Sequence, residues 1–201
     1  MPCVIIQSIF MKKYLLMAVL ALSALSMSAQ EDSKLTVKVG VGLSSVVGSD
    51  ADTKNAFAYN VGLFYDLSLS EKFSILPGIE LVNKAWKSDA VIGTVNMYYA
   101  QVPVLAAYKF NLTNDSKIVV KAGPYASYGI FGSDLEYGGK SVGVFDSDEG
   151  AERFEAGVLA GISYDFAQCS IGAEYSRAFT KMCSGLKQYH QSFGLTLGYK
   201  F

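Results

Sequence analysis

The chain has 201 residues and a formal net charge of −1. That length suits one domain, and the balance offers neither a basic face for nucleic acid nor an acidic tail. Charged residues are only 17% of the total, low for a soluble surface, while 19 Gly, 13 Tyr and 12 Phe favour strands and tight turns over helices.

The N-terminus reads as a targeting segment. From Met11, MKKYLLMAVLALSALSMSAQ carries Lys12 and Lys13, an apolar run from Tyr14 to Leu25, and small residues up to Ala29. This is the layout of a secretory signal peptide, with cleavage expected after Ala29. The apolar run is shorter than the ~20 residues of a spanning helix. Residues 1–10 read as an over-extended start, and no cysteine near the cut would take a lipid. The expected organisation is a cleaved signal peptide, 1–29, followed by one barrel domain, 30–201.

Beyond Ala29 the dominant period is two. In LTVKVGVGL, Leu35, Val37, Val39, Val41 and Leu43 face one way, and Thr36, Lys38, Gly40 and Gly42 the other. The pattern recurs along the chain, with strands expected at about 34–44, 56–67, 73–86, 97–110, 118–130, 153–166, 169–179 and 191–201. These are longer than the ~5–6 residues of an ordinary strand and match the ~9–11 of a tilted membrane strand. The connections alternate. SLSE, NLTNDSK and the turn near Ala167 are short, whereas 45–55, 87–96, 131–152 and 180–190 are long and polar. Short turns at one end and long loops at the other are the layout of an outer-membrane barrel.

Four strands finish alike at the short-turn end: YDL at Tyr65, YKF at Tyr108, YDF at Tyr164 and YKF at Tyr199. Tyr65, Tyr108, Phe110, Tyr164, Phe166, Tyr199 and Phe201 are therefore expected to form one outward aromatic girdle, at the depth where amphipathic rings are favoured. Phe57, Tyr59, Tyr98, Tyr128, Phe154, Phe179 and Phe193 would form the opposite one, with Val, Ile, Leu and Ala between. The final stretch LTLGYKF is expected to pair with the first strand, because closure leaves no unpaired backbone edge in lipid.

These segments resemble a known family. ILPGIELV, YYAQVPVLAAYKF, VKAGPYASYG, FEAGVLAGISYDF and the terminal GLTLGYKF are similar to the small outer-membrane β-barrels of Gram-negative bacteria. The likeness is to OmpA/OmpX-type barrels and especially to "porin family" barrel domains related to the PorT-like group, and it covers essentially all of 30–201. It implies an eight-stranded antiparallel up-and-down transmembrane barrel in the cell outer membrane. It also implies that Tyr199 and Phe201 belong to the C-terminal signal read by the barrel-assembly machinery. Members of the family mostly lack an assigned activity.

With apolar residues facing lipid, the other parity faces the lumen: Lys38, Asn60, Glu80, Lys84, Gln101, Lys121, Tyr125, Glu155, Glu174 and Ser176. An eight-stranded barrel is only wide enough for its own side chains, and buried charges need partners. Lys38, Lys84 and Lys121 are expected to meet Glu80, Glu155 and Glu174 in a network that fills the lumen. The alternative is a narrow ion or solute pore lined by the same charges. A third reading is a lipid-modifying enzyme. His190 and Ser192 form a His–x–Ser pair like that of outer-membrane lipid A deacylases. Both face inward, however, no acid follows on the strand, and a loop-end His reads as solvated. A soluble lipocalin-type barrel would need apolar residues inside and polar ones outside.

No cofactor or catalytic residue is expected, and GVGLSS precedes no helix, so it is not a phosphate loop. Cysteine and histidine are too few for a metal constellation. Cys169 and Cys183 lie at opposite ends of the seventh strand, beyond the ~7 Å that a disulfide allows. In loop 131–152, Asp134, Glu136, Asp146, Asp148 and Glu149 lack the ligand spacing of a calcium loop. That loop is the expected place for an extracellular partner, alongside outer-membrane lipid around the barrel.

Val39→Lys puts a charge on the outward face near mid-barrel and is expected to cost ~2–4 kcal/mol. Gly40→Lys, one residue on, would disturb packing inside instead. Urea titrations of both variants in lipid bilayers compare them, and indistinguishable profiles would undo the assignment of faces.

Overall fold

The computed structural model describes residues 34–48, 53–88, 91–113, 116–137, 140–145, 151–182 and 188–201. The signal-peptide expectation, Cys183, Asp146, Asp148 and Glu149 lie outside them. Eight long strands form the wall: β1 (Leu35–Gly48), β2 (Thr53–Tyr65), β4 (Phe73–Ser88), β5 (Val91–Thr113), β6 (Ser116–Gly132), β9 (Phe154–Phe166), β10 (Cys169–Ala178) and β11 (Gln188–Lys200). The two-residue β3 (Leu67–Ser68) extends the sheet beside β4, and β7 (Asp134–Tyr137) pairs with β8 (Lys140–Gly143) as a separate hairpin.

Neighbouring wall strands pair antiparallel in the order β2, β1, β11, β10, β9, β6, β5, β4, and a further β2–β4 pairing completes the ring. The first and last strands lie side by side, in register from Thr36↔Lys200 to Gly48↔Gln188. The Phe201 amide donates to the Leu35 carbonyl at 2.8 Å. Closure satisfies the backbone polar groups that an open edge would strand.

The strands run further toward the long loops than the alternating pattern suggested. β2 begins at Thr53, β5 at Val91 and β11 at Gln188. Backbone pairing continues there although the apolar alternation fades, because Thr53↔Ser88 and Lys87↔Thr94 still find partners across the hairpins. At the other end, Ala167 and Gln168 join β9 to β10, with Ala167 at φ 47°. This left-handed conformation is what a two-residue hairpin turn asks of its first position.

The outward face is apolar and exposed: Val39, Val41, Leu43, Val102, Val104, Ile162, Ile171, Leu195 and Leu197 all lie on it. At the short-turn end Tyr108 packs on Phe110, Tyr164 on Phe166 and Tyr199 on Phe201, with ring centroids 4.8, 5.8 and 4.9 Å apart. At the other end Tyr98 stacks on Phe131 at 4.4 Å, and the Tyr59 and Tyr98 hydroxyls meet at 3.0 Å. A lipocalin arrangement would invert these faces.

The inward face is less uniformly small and polar than the sequence suggested. Phe64, Leu105, Tyr125 and Leu159 form a buried apolar cluster within the wall, with Leu76 against it. Inward glycines make room for such large groups. A Cβ on Gly78 would sit 2.6 Å from the Phe64 ring, and one on Gly157 would sit 2.7 Å from the Tyr125 ring.

The barrel prolines fall side by side. Pro77 faces Val104, Pro103 faces Tyr125, and Pro124 faces Val158, on the adjacent strands β4, β5 and β6. The β4–β5 pairing lapses between Pro77↔Val104 and Glu80↔Gln101. The β5–β6 pairing lapses between Pro103↔Tyr125 and Ala106↔Ala122. Each proline lacks the N–H a ladder needs.

A Cβ on Gly161 would lie 2.8 Å from Glu174 Cγ and 3.0 Å from the Ala173 carbonyl. Gly161→Val is therefore expected to destabilise the barrel by ~1–3 kcal/mol through overpacking. Ala160→Val, on the exposed outward face, should change stability by no more than about 0.5 kcal/mol. Urea denaturation of the refolded variants in lipid vesicles measures both, and equal losses would contradict the alternation of faces.

Candidate functional site

The inward-pointing charges gather in tiers along the lumen. In the first, Lys38 Nζ lies 2.8 Å from Glu80 Oε1 and 2.6 Å from Glu174 Oε2, and Lys121 Nζ lies 2.8 Å from Glu174 Oε1. Gln101 Nε2 donates to Glu80 Oε2 at 3.1 Å, and Asn60 Nδ2 to Glu80 Oε1 at 3.4 Å. Two lysines balance two glutamates, so the tier is neutral. Lys38 also stands 4.5 Å over the Phe64 ring, a cation–π contact in a desolvated setting. Its charged groups come from β1, β4, β6 and β10, so the contacts cross the lumen.

The second tier centres on Glu155 of β9. Lys84 pairs with its Oε1, which Tyr125 Oη also reaches at 2.8 Å, while His190 Nδ1 lies 2.6 Å from Oε2. A carboxylate only accepts, so the imidazole donates from Nδ1. Lys84 stands 5.0 Å from the Tyr99 ring centroid and 4.9 Å from that of Tyr125, and the Tyr99 and His190 rings meet edge-on at 6.0 Å. Taking these charges out of water is costly, and the cost is offset only where each finds several partners. Glu155 has three.

The His190 expectation is corrected here. His190 is not a solvated loop-end residue but is only 3% exposed, and its acid comes from another strand across the lumen. Ser192 does not complete a triad, because its hydroxyl meets that of Ser176 at 2.7 Å. A short-range search for an acid along β11 could not have found Glu155, which lies 35 residues away.

At the short-turn mouth Lys109 pairs with Asp66 at 2.7 Å, Lys200 pairs with Asp165, and Ser163 donates to Asp165 at 2.9 Å. Burial alone would raise the Asp66 carboxyl. Hydrogen bonds from Lys109, Ser74 and Ser68, with the Lys109 charge, hold it below the usual carboxylate range. This pair was not singled out in the sequence. The signal was there, since YDL and YKF place a charge between the girdle residues at each short turn.

At the long-loop mouth an apolar cap closes over the second tier. Val95, Met97, Tyr99 and Val144 are buried together, with Trp86, Phe145, Ala151 and Met182 packed against them. Val144 and Phe145 follow β8 and fold back inside, where Phe145 occupies the space over Gly129 and Arg153 stands 5.1 Å from its ring. The Ala151 amide donates to the Val144 carbonyl, and that of Glu152 to the Met182 carbonyl. Asp134 and Glu136 fall on β7.

Among the described residues no cluster of His, Cys, Asp or Glu could hold a metal ion, and Cys169 is a free thiol.

The profile of the outer membrane protein β-barrel domain family matches residues 28–184. No curated protein sequence matches the chain. Among solved structures, Neisserial surface protein A superposes with a TM-score of 0.55 at 13% identity, over 83% of this chain and 97% of that one. The outer membrane enzyme PagL superposes with a TM-score of 0.54 at 12% identity, over 83% and 99%. Likeness at that identity is one of fold.

Lys84→Met leaves Glu155 a buried charge without a cation and is expected to cost ~3–5 kcal/mol. Adding Glu155→Gln, which removes the unpaired charge and keeps one acceptor oxygen, should restore most of that loss. A double-mutant cycle by urea titration in lipid vesicles reads the coupling, and additive losses would mean that the two groups do not sense each other.

Proposed function

The chain belongs to the outer membrane protein β-barrel domain family and is an outer-membrane protein, and from that premise we propose that it is a plugged barrel whose role is structural and interactive rather than conductive or catalytic. The observation that carries this reading is the neutral tier of Lys38, Glu80, Lys121 and Glu174, whose side chains span the lumen. A second tier around Glu155 and the apolar cap beyond it support the same conclusion. An ion would have to break paired charges held in a low-dielectric interior.

The protein then meets its surroundings in three places. The two aromatic girdles hold it in outer-membrane lipid. The end of β11, with Tyr199 and Phe201 turned outward, is presented to the barrel-assembly machinery during insertion. The long loops, 131–152 above all, face the cell exterior and offer the surface for an extracellular partner.

Two alternatives are disfavoured on specific grounds. A narrow pore would line its path with the same charges, yet each of the six tier residues has a counter-charge on another strand. A lipid-acting His–Ser pair gains an orienting acid in Glu155. His190, however, is buried inside the wall, and lipid touches only the outside.

The test is to refold residues 30–201 into detergent and planar bilayers, compare boiled and unboiled gel mobility, and record single-channel currents. Heat-modifiable migration without steady conductance is the expected result. A reproducible open level, altered by Lys38→Ala or Glu80→Ala, would favour the pore.

A further inference from the structure

Between the two girdles the outward face is apolar except at one place near the long loops. Among the described residues, Arg177 of β10 is the only charged side chain on that face between the girdles. It is exposed, and Phe179, the girdle residue of its strand, lies two positions nearer the long loop. Its guanidinium makes no hydrogen bond or ion pair with the protein.

Arg177 has polar neighbours on the same face. It lies opposite Gln191 of β11, and Gln191 lies opposite Ser45 of β1. All three share the outward parity, so they form one row across the closing seam. The Tyr175 hydroxyl donates to Gln191 Oε1 at 3.4 Å, and Gln191 Nε2 donates to Ser45 Oγ at 3.2 Å. The Gln191 oxygen is thereby taken, while its second N–H and the guanidinium N–H groups remain as donors. No carboxylate shares this face. Glu155 of β9 and Glu174 of β10 point into the lumen, where Lys84 and Lys121 hold them.

A cation on the lipid side is costly unless it reaches the boundary or meets an anion there. Arg177 stands one step below the girdle, and its long side chain can carry the charge up to the level where lipid head groups begin. The occupant must accept hydrogen bonds and carry negative charge. Its second character follows from the surface below. Toward the short turns the row gives onto Leu43 and Val41 of β1, Leu195 and Leu197 of β11 and Ile171 of β10, all exposed. A soluble anion would leave that apolar strip unused, whereas an anion carried on acyl chains matches both halves. The planar guanidinium fork suits the paired oxygens of a phosphate.

We propose that Arg177 and Gln191 form a binding site for the phosphate of a membrane lipid, whose acyl chains lie along the seam of β10, β11 and β1. The inference deepens the proposed function, in which the girdles alone hold the barrel in lipid. It rests on that reading for the leaflet, since long loops outside the cell put this lipid in the outer one. The bound lipid lies across the β1–β11 pair that closes the ring.

The test is native mass spectrometry of the refolded barrel in non-ionic detergent, titrated with phosphatidic acid, with diacylglycerol of the same chains, and with inorganic phosphate. The expected result is a one-to-one adduct with phosphatidic acid that survives added inorganic phosphate, and no adduct with diacylglycerol. Arg177→Gln is expected to weaken the adduct about tenfold or more, through loss of a charge-assisted pair, and Arg177→Lys to weaken it less. Lys181→Gln removes an exposed charge just beyond Phe179 and is expected to leave the adduct unchanged. Heat-modifiable gel mobility checks that each variant is folded. An undiminished adduct with Arg177→Gln, or an equal loss with Lys181→Gln, would overturn the site in favour of unspecific attraction. Equal binding of diacylglycerol would overturn it in favour of the apolar strip alone, and displacement by equimolar inorganic phosphate in favour of a free anion. Single-channel currents of the same preparation report on the plug separately, so a barrel that binds no lipid and carries no current would refute this site alone.

Discussion

An eight-stranded wall encloses a space that only side chains can fill, and that narrowness governs the molecule. Every charge turned inward has to find its counter-charge within a few ångströms, because the interior offers little solvent to stabilise it. Lys38 therefore bridges Glu80 and Glu174, and Glu155 gathers Lys84, Tyr125 and His190. The same crowding decides the composition of neighbouring strands. Where Glu174 lies flat against β9 the residue beneath is Gly161, and where Tyr125 lies flat it is Gly157. The high glycine content is the counterpart of large inward groups next door.

Inside and outside follow different rules as a result. Outside, residues need only be apolar and of modest size, with aromatics at the two boundaries, and individual contacts matter little. Inside, each residue is tied to partners on other strands, so a single substitution propagates across the lumen. The molecule thus tolerates exchange of one apolar residue for another on the surface that touches lipid, whereas the inward face is intolerant of changes in size as well as in charge.

Much of this was legible in the sequence because a strand exposes its faces alternately. Val39 and Gly40 could be assigned to opposite sides from spacing alone, and Tyr65, Tyr108, Tyr164 and Tyr199 marked one end of four strands. The six tier charges could be grouped by parity. Which lysine meets which glutamate could not be read, because strand tilt sets contacts across the lumen that pairing order does not reveal. His190 was misread for the same reason, its acid lying on β9 with β10 between. Phe64 was hidden in LFYDL, where apolar residues occupy both parities. The apolar cap was invisible because Val144, Phe145 and Met182 come from connections that carry no period at all.

The seam between β1 and β11 has a consequence for how the chain comes to exist in its membrane. Pairing between neighbouring hairpins is local, but the ring closes only when the first strand meets the last. No growing or partly exported chain can make that contact. Until the final strand arrives, every intermediate has two raw edges and an apolar flank, the condition in which strands add to foreign strands. Closure is a long-range contact, and such contacts are slow to form. The ring is therefore completed by one contact between the two ends of the barrel sequence, and the apolar flank stays beside an open edge until that contact forms.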